Sequence, residues 1–315
     1  MVMRGGNQCG SAYCGSHKIH VYHICTKGLE SGLLFHDAED YQAAVNLIAI
    51  LSCVQEINVF AYCLMTNHIH VVAGAQNRNS AEMFGAMFKK EYSQHYTRRY
   101  GRSKVFKSIT LTVKELSDSN YIKNCIAYVL RNPVDGGMVK AVEKYEWSSM
   151  PCYFSDGSVG TGIPLSAMGV RKIRNALRTR RDIKNCGKLA FDGTNGVVPR
   201  SFVEYGFVES LFNNSVVNFC MSISKVDSAQ MEYNLAIRPR TRYNDYELLS
   251  RIDVIIKKWF DADNIRMLTM RQKCKMAGYM SRYCNAGIPQ ISRVLGLERN
   301  LVGEILGREN TGTSD

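Results

Sequence analysis

The stretch that most constrains this chain is Ala61-Tyr62-Cys63-Leu64-Met65-Thr66-Asn67-His68-Ile69-His70-Val71-Val72. It is apolar and β-prone on either side of a short polar step, and it carries two histidines one residue apart. Side chains alternate between the faces of a strand, so His68 and His70 project side by side if the stretch pairs into a sheet. Two neutral imidazoles on one face suit a divalent metal. The competing reading is a pair of polar residues on the solvated face of an antiparallel strand, and spacing by itself leaves both open.

The flanking sequence supplies the other elements. Val21 to Cys25 reads as a first strand. Asp40 to Cys53 has apolar residues at helical spacing (Ala43, Val45, Ile48, Leu51), with Asp37 and Asp40 placed near its start. Ile57 to Cys63 and Ile69 to Ala75 read as two strands joined by a hairpin across Met65-Thr66-Asn67. A second helix opens at Ser80 and runs to about Tyr100, Lys104 to Val113 alternates as a strand, and Asp118 to Arg131 reads as a third helix ended by Asn132-Pro133. Strand, helix, strand, strand, helix, strand, helix implies an α+β fold: a ferredoxin-like antiparallel sheet with helices mainly on one face, plus a terminal helix. Residues 1–20 read as a flexible leader, 21–154 as the first domain, 155–269 as a mixed or helical connecting region beginning at the Ser155–Gly162 linker, and 270–310 as a further helical domain.

Lys+Arg 40 against Asp+Glu 28 gives a net charge of +12, which favours a polyanionic partner, usually nucleic acid. The 11 cysteines are scattered rather than paired, as expected of buried thiols in a reducing compartment; Cys9 and Cys14 alone make a weak zinc motif. No apolar run reaches the ~18 residues of a membrane-spanning helix, and the first residues lack the apolar core of a signal peptide. The expectation is a cytoplasmic protein with no membrane partner.

Five pieces in order over residues 20–154 resemble the REP-associated tyrosine transposases and the wider IS200-like single-tyrosine HUH (His-hydrophobic-His) transposase family. They are Tyr22-His23-Ile24 with Gly28; Phe35 with Asp37 and Asp40-Tyr41; Ala61 to His70; Tyr128-Val129-Leu130-Arg131-Asn132-Pro133-Val134 with Gly137-Met138-Val139; and Tyr145-Glu146-Trp147-Ser148-Ser149. The resemblance implies an HUH nuclease fold in which Tyr128 is the nucleophile and His68 and His70 hold the metal, Mg2+ or Mn2+. Asn132, one helical turn after Tyr128, implies an oxygen donor that completes the ligand set. The implied substrate is single-stranded DNA folded into hairpins at palindromic repeats. The implied product is a 5′-phosphotyrosine with a free 3′-hydroxyl, and the implied assembly is a homodimer. Lys107 and Arg131 are the DNA contacts expected in this half. The family's longer stretch before the last strand is reduced here to Arg102-Ser103-Lys104-Val105-Phe106-Lys107-Ser108. Read from residues alone, Tyr128 is also one of 17 tyrosines and Asn132 also a helix cap. Tyr92, Tyr96 and Tyr100 read as packing or base stacking, and His17, His20, His23, His36 and His95 as surface or packing residues.

In the second half, Val170 to Lys184 reads as a helix with basic residues all round it. Three segments, Arg271 to Cys284, Pro289 to Gly296 and Glu298 to Leu306, resemble a helix-turn-helix, particularly the C-terminal DNA-binding domain of the replication initiator DnaA. That resemblance implies duplex DNA as a second partner, contacted by Arg293, Arg299 and Asn300, with the last helix in the major groove. An ordinary three-helix bundle is the alternative. For the whole chain, the rival to a DNA transposase is a catalytically inactive, domesticated DNA-binding regulator on the same fold.

Overall fold

The β-prone stretches pair as their apolar patterns require. The computed structural model of the chain describes residues 11–14, 17–26, 33–101, 109–155, 162–177, 179, 181, 183, 186–194, 196–235, 243, 245–284 and 286–309. Strands β1 (Ser11–Cys14), β2 (His17–Thr26), β3 (Asn58–Met65), β4 (His68–Ala75) and β5 (Leu111–Leu116) form one antiparallel sheet. β2 pairs with β4 on one side and with β5 on the other, and β3 lies outside β4. The order β5-β2-β4-β3 is the expected ferredoxin-like arrangement. β1 pairs with the first residues of β2, so the first strand begins at His17 rather than Val21, and part of the expected leader belongs to the sheet.

β4 is buried at every position and β3 at all but its first. Near-continuous apolar strands of this kind need cover on both faces, and they have it. Helices α1 (Ala38–Val54) and α2 (Arg78–Tyr100) pack together, with α2 on the face that bears Ile24. A Cβ on Gly85 of α2 would lie 2.6 Å from Leu111 and 3.2 Å from Ile24. Helix α3 (Ser119–Asp135) covers the opposite face, where His23 and His70 lie. The terminal helix expected beyond the ferredoxin-like pattern is thus the one that takes the second face. Asp118 caps α3 by accepting from the amides of Asn120 and Tyr121. The helix does not stop at Asn132-Pro133 as expected. Pro133 sits in its last turn, where the missing N–H removes one bond, and the Gly136 amide closes the end on Asn132 O at 2.7 Å.

The Tyr145–Ser149 segment seals the free edge of β3. Leu64 N donates to Trp147 O, Ser149 N donates to Tyr62 O, and Tyr145 Oη donates to Leu64 O. Behind α1 and α2, the carboxylate of Asp40 is fully buried and accepts from the His36 amide (2.9 Å), His95 Nε2 (3.0 Å), Arg99 Nη1 (2.5 Å) and Tyr100 Oη (2.8 Å). Tyr92 and Tyr96 are buried there as well, which makes these rings packing residues.

The chain divides into two units, Met1–Ile237 and Arg238–Asp315. Residues expected to be a separate connecting region contribute Leu165, Ile173, Leu189, Val197, Phe202, Phe219 and Ile223 to the first core. Helix α4 (Val170–Leu177) ends well short of Lys184. Ile173, Leu177 and Ile183 are all buried, and a continued helix would turn Ile183 away from the face of the other two. Helices α5 (Tyr205–Leu211), α6 (Val216–Lys225) and α7 (Ser228–Asn234) follow, and α6 and α7 pack on α3.

The second unit contains α8 (Asp245–Phe260), α9 (Met270–Tyr283), α10 (Ile288–Leu295) and α11 (Arg299–Glu309). The last three match the expected helix-turn-helix segments. Its core joins Leu248, Ile252 and Ile256 of α8 to Met276, Met280, Ile291, Leu295 and Val302, so the unit starts ahead of residue 270. Thr269 and Gln272 form a capping box on α9, and Gly296 ends α10 in the left-handed region (φ 63, ψ 42) that the tight turn into α11 requires. Among the described residues no helix is long and apolar enough to cross a membrane.

Candidate functional site

The site lies between the sheet and α3. The β3–β4 hairpin turns at Thr66-Asn67, held by Leu34 N and Phe35 N donating to Thr66 O and by Ile69 N donating to Thr26 Oγ1 at 3.0 Å. This fixes where β4 starts and sends His68 and His70 to the same face. Their ring centroids are 4.8 Å apart, and they are 4% and 1% exposed. The solvated-face alternative is thereby excluded for the described structure. His68 Nδ1 lies 2.8 Å from Asn67 Oδ1. A carboxamide oxygen only accepts, so His68 donates from Nδ1, and in the neutral ring the lone pair is then on Nε2. Orientation of one ring nitrogen by a neighbouring acceptor is the usual support for a ligating histidine.

Strand pairing adds two residues. Cys25 on β2 lies opposite His70, and His70 in turn lies opposite Cys63 on β3. Directly opposed residues share a face. His23, two residues before Cys25, therefore projects from that face too. Its Nε2 lies 3.0 Å from His70 Nδ1, while its Nδ1 is buried with no hydrogen-bond partner among the described residues. Burial lowers the His23 imidazole to about 3, so the ring is neutral at neutral pH. The donor atoms of His23, Cys25 and His70 all lie within 4.8 Å of one another. Sequence reasoning set His23 aside as a surface or packing residue; the structure buries it and places it beside His70. The signal was present only as alternation along Tyr22-His23-Ile24-Cys25, because the register that brings β2 to β4 is a tertiary fact.

Tyr128 stands over these histidines from α3, with its ring centroid 5.5 Å from that of His70 and 6.4 Å from that of His23. It is 2% exposed, because α3 is packed between the sheet and α6. Asn132 is buried one turn later and its Nδ2 donates to Tyr128 O at 2.8 Å. The amide nitrogen is thus committed to the helix, leaving Oδ1 as the atom a cation would use. Asn132 is inside α3 rather than at its end.

The expected DNA contacts are dispersed. Lys107 lies outside the described residues. Arg131 bonds to Asp135 and to the carbonyls of Ile223 and Ser224, so its guanidinium ties α3 to the end of α6. In the second unit Arg293 forms a bidentate pair with Asp245, which fastens α10 to α8. Arg299 and Asn300 are exposed at the start of α11. The basic stretch after α4 is partly neutralised, since Arg181 pairs with Glu91. The possible Cys9–Cys14 zinc motif cannot be placed, because Cys9 and the Cys14 side chain lie outside the described residues.

No protein-family model matches the chain, and no curated protein matches it. Among solved structures, a REP-associated tyrosine transposase bound to a REP hairpin aligns over 48% of this chain and 82% of that chain, at 17% identity and a TM-score of 0.33.

Proposed function

We propose that this protein cleaves and rejoins single-stranded DNA through Tyr128, as a metal-dependent transposase or a domesticated relative. The observation that carries the reading is the convergence of His68, His70 and Tyr128 from a strand and a helix that are distant in sequence. The five family-like motifs over residues 20–154 point the same way.

The chemistry follows from the groups present. Tyr128 Oη attacks the phosphorus of a phosphodiester. The Oη–P bond forms as the P–O3′ bond breaks, the phenolic proton is given up, and the departing 3′-oxygen takes a proton to become a hydroxyl. A phenol with a pKa near ~10 is a poor nucleophile at neutral pH unless its charge is stabilised. A divalent ion, when bound, polarises a phosphate oxygen and offsets that charge. The chain's own part is orientation: Asn67 fixes the His68 tautomer, and the β3–β4 hairpin fixes the direction of both rings. Asn132 is proposed to contribute Oδ1 to the same ion. The phosphotyrosine ester retains the energy of the broken bond, so a second strand is joined without a nucleotide cofactor. Because Tyr128 is buried, DNA reaches it only when α3 or the side chain shifts outward.

Hairpin or palindromic DNA is the proposed substrate and a homodimer the proposed assembly. Arg299 and Asn300 of α11 are proposed to hold duplex DNA. The burial of Tyr128 also favours a second reading, a DNA-binding regulator that does no chemistry. One experiment separates the two. The protein is mixed with labelled hairpin DNA from the flanks of its own gene, in Mn2+ or EDTA, and run on a denaturing gel. A Mn2+-dependent covalent band that is absent with Tyr128→Phe supports the enzyme, and tight binding without a band supports the regulator.

A further inference from the structure

The donors gathered around His70 are not those of an oxygen-loving ion. We infer that His23, Cys25 and His70 form a three-ligand site for a borderline transition-metal ion of the Zn2+ or Co2+ class. This inference concerns the metal of the proposed strand-transfer site and rests on that reading only for what the ion would do there.

Three observations support it. The donor atoms of the three residues lie within 4.8 Å of one another on one face of the sheet. The two imidazole nitrogens that face each other are 3.0 Å apart, close to the ~3.3 Å between two nitrogen ligands in a tetrahedral site with bonds of about 2.0–2.1 Å. Finally, His23 is 0% exposed, so no solvent competes for the Nε2 that faces His70.

Donor chemistry then selects the ion. Two imidazoles and a thiol suit zinc, cobalt, nickel or copper, whereas magnesium takes oxygen donors and gives up its water reluctantly. His23, Cys25 and His70 are each at most 2% exposed, which leaves little room for a water-rich shell. On binding, the imidazoles enter as neutral rings and Cys25 enters as thiolate, so one proton is released to solvent and no redox partner is needed. His68, beside His70, is the further imidazole available to such an ion.

The test is a titration of the metal-free full chain with Co2+, read by absorption. The expected result is one tight equivalent giving a thiolate-to-cobalt charge-transfer band in the near ultraviolet. Cys25→Ser should remove that band, and His23→Gln should weaken binding by about 10-fold or more. Should either variant fail to fold, as judged by circular dichroism, X-ray absorption on the Zn2+-loaded wild type replaces it, with one sulfur expected at about 2.3 Å and nitrogens at about 2.0–2.1 Å. A charge-transfer band that persists in folded Cys25→Ser overturns the inference, and so does a zinc shell without sulfur. A Tyr128 adduct formed equally well in Mg2+ alone, with no thiolate band, overturns this inference and leaves the proposed function standing. Thiolate ligation with no adduct under any ion does the reverse.

Discussion

Replacing Asp40 with asparagine should destabilise the first unit by about 3 to 4 kcal/mol. The carboxylate is 0% exposed and accepts four hydrogen bonds, from the His36 amide, His95, Arg99 and Tyr100. Asparagine keeps one oxygen and turns an NH2 group toward donors, so about two of the four bonds are lost. Charge-assisted bonds contribute roughly 1.5 to 3 kcal/mol each, and breaking a buried ion pair costs about 3 to 5 kcal/mol. Arg99 retains Asp37 and Glu39, which places the effect toward the lower end. The pH dependence carries a sign. Burial alone would push the Asp40 carboxyl up, but the bonds from His95, His36, Tyr100 and Arg99 outweigh it and hold it well below the usual range. A depressed carboxyl contributes stability that is full above its unfolded value near ~3.9 and is lost as pH falls toward the folded one. The assay is urea unfolding at pH 7 and at pH 3, followed by Trp147 fluorescence in a Trp259→Phe background. Trp147 stacks on Tyr41 with centroids 4.9 Å apart, so it reports the layer that Asp40 fastens. A loss below about 1 kcal/mol, or a gap between the two proteins that does not narrow at pH 3, would refute this account of the cluster.

Three further outcomes are expected. His68→Ala should abolish the metal-dependent covalent adduct while leaving hairpin affinity within about threefold, measured by gel and by fluorescence anisotropy; unchanged cleavage in excess EDTA would reject a metal role. Arg299→Ala should weaken duplex DNA binding and reduce the salt slope by about one, and an unaltered slope would remove α11 from the interface. Gly296→Ala should cost the second unit about 1 kcal/mol, because φ is +63 there. Thermal unfolding followed by Trp259 fluorescence in a Trp147→Phe background measures it, and no shift would mean that the turn tolerates a side chain.

Although the strand read from alternation, Lys104 to Val113, overlaps β5 (Leu111–Leu116) only at its end, much of the sheet was legible in the sequence because apolar, β-prone runs and a polar hairpin step are local signals. His68 and His70 announced themselves for the same reason. His23 and Cys25 did not, since their place beside His70 depends on a β2–β4 register that no local pattern encodes. Proline was over-read: Pro133 signals a helix end, but in the last turn it removes only one bond, and α3 runs on to Asp135. Arg131 and Arg293, expected from the resemblances to touch DNA, each have a carboxylate or carbonyl partner within their own unit, which only the tertiary structure reveals. The three helical segments after residue 270 were legible from their apolar spacing and the Leu295-Gly296-Leu297 connection, whereas α8 was left out of that unit because a shared core is not visible in one helix's spacing.

The central claim is that Tyr128 becomes joined to DNA. It is tested most directly by digesting the protein after incubation with hairpin DNA and metal, trimming the DNA with nuclease, and mapping the modified peptide by tandem mass spectrometry. The account predicts a 5′-phosphonucleotide on the peptide containing Tyr128, located on that side chain and absent with EDTA. A nucleotide found on another tyrosine, or on none while hairpin binding persists, would contradict it.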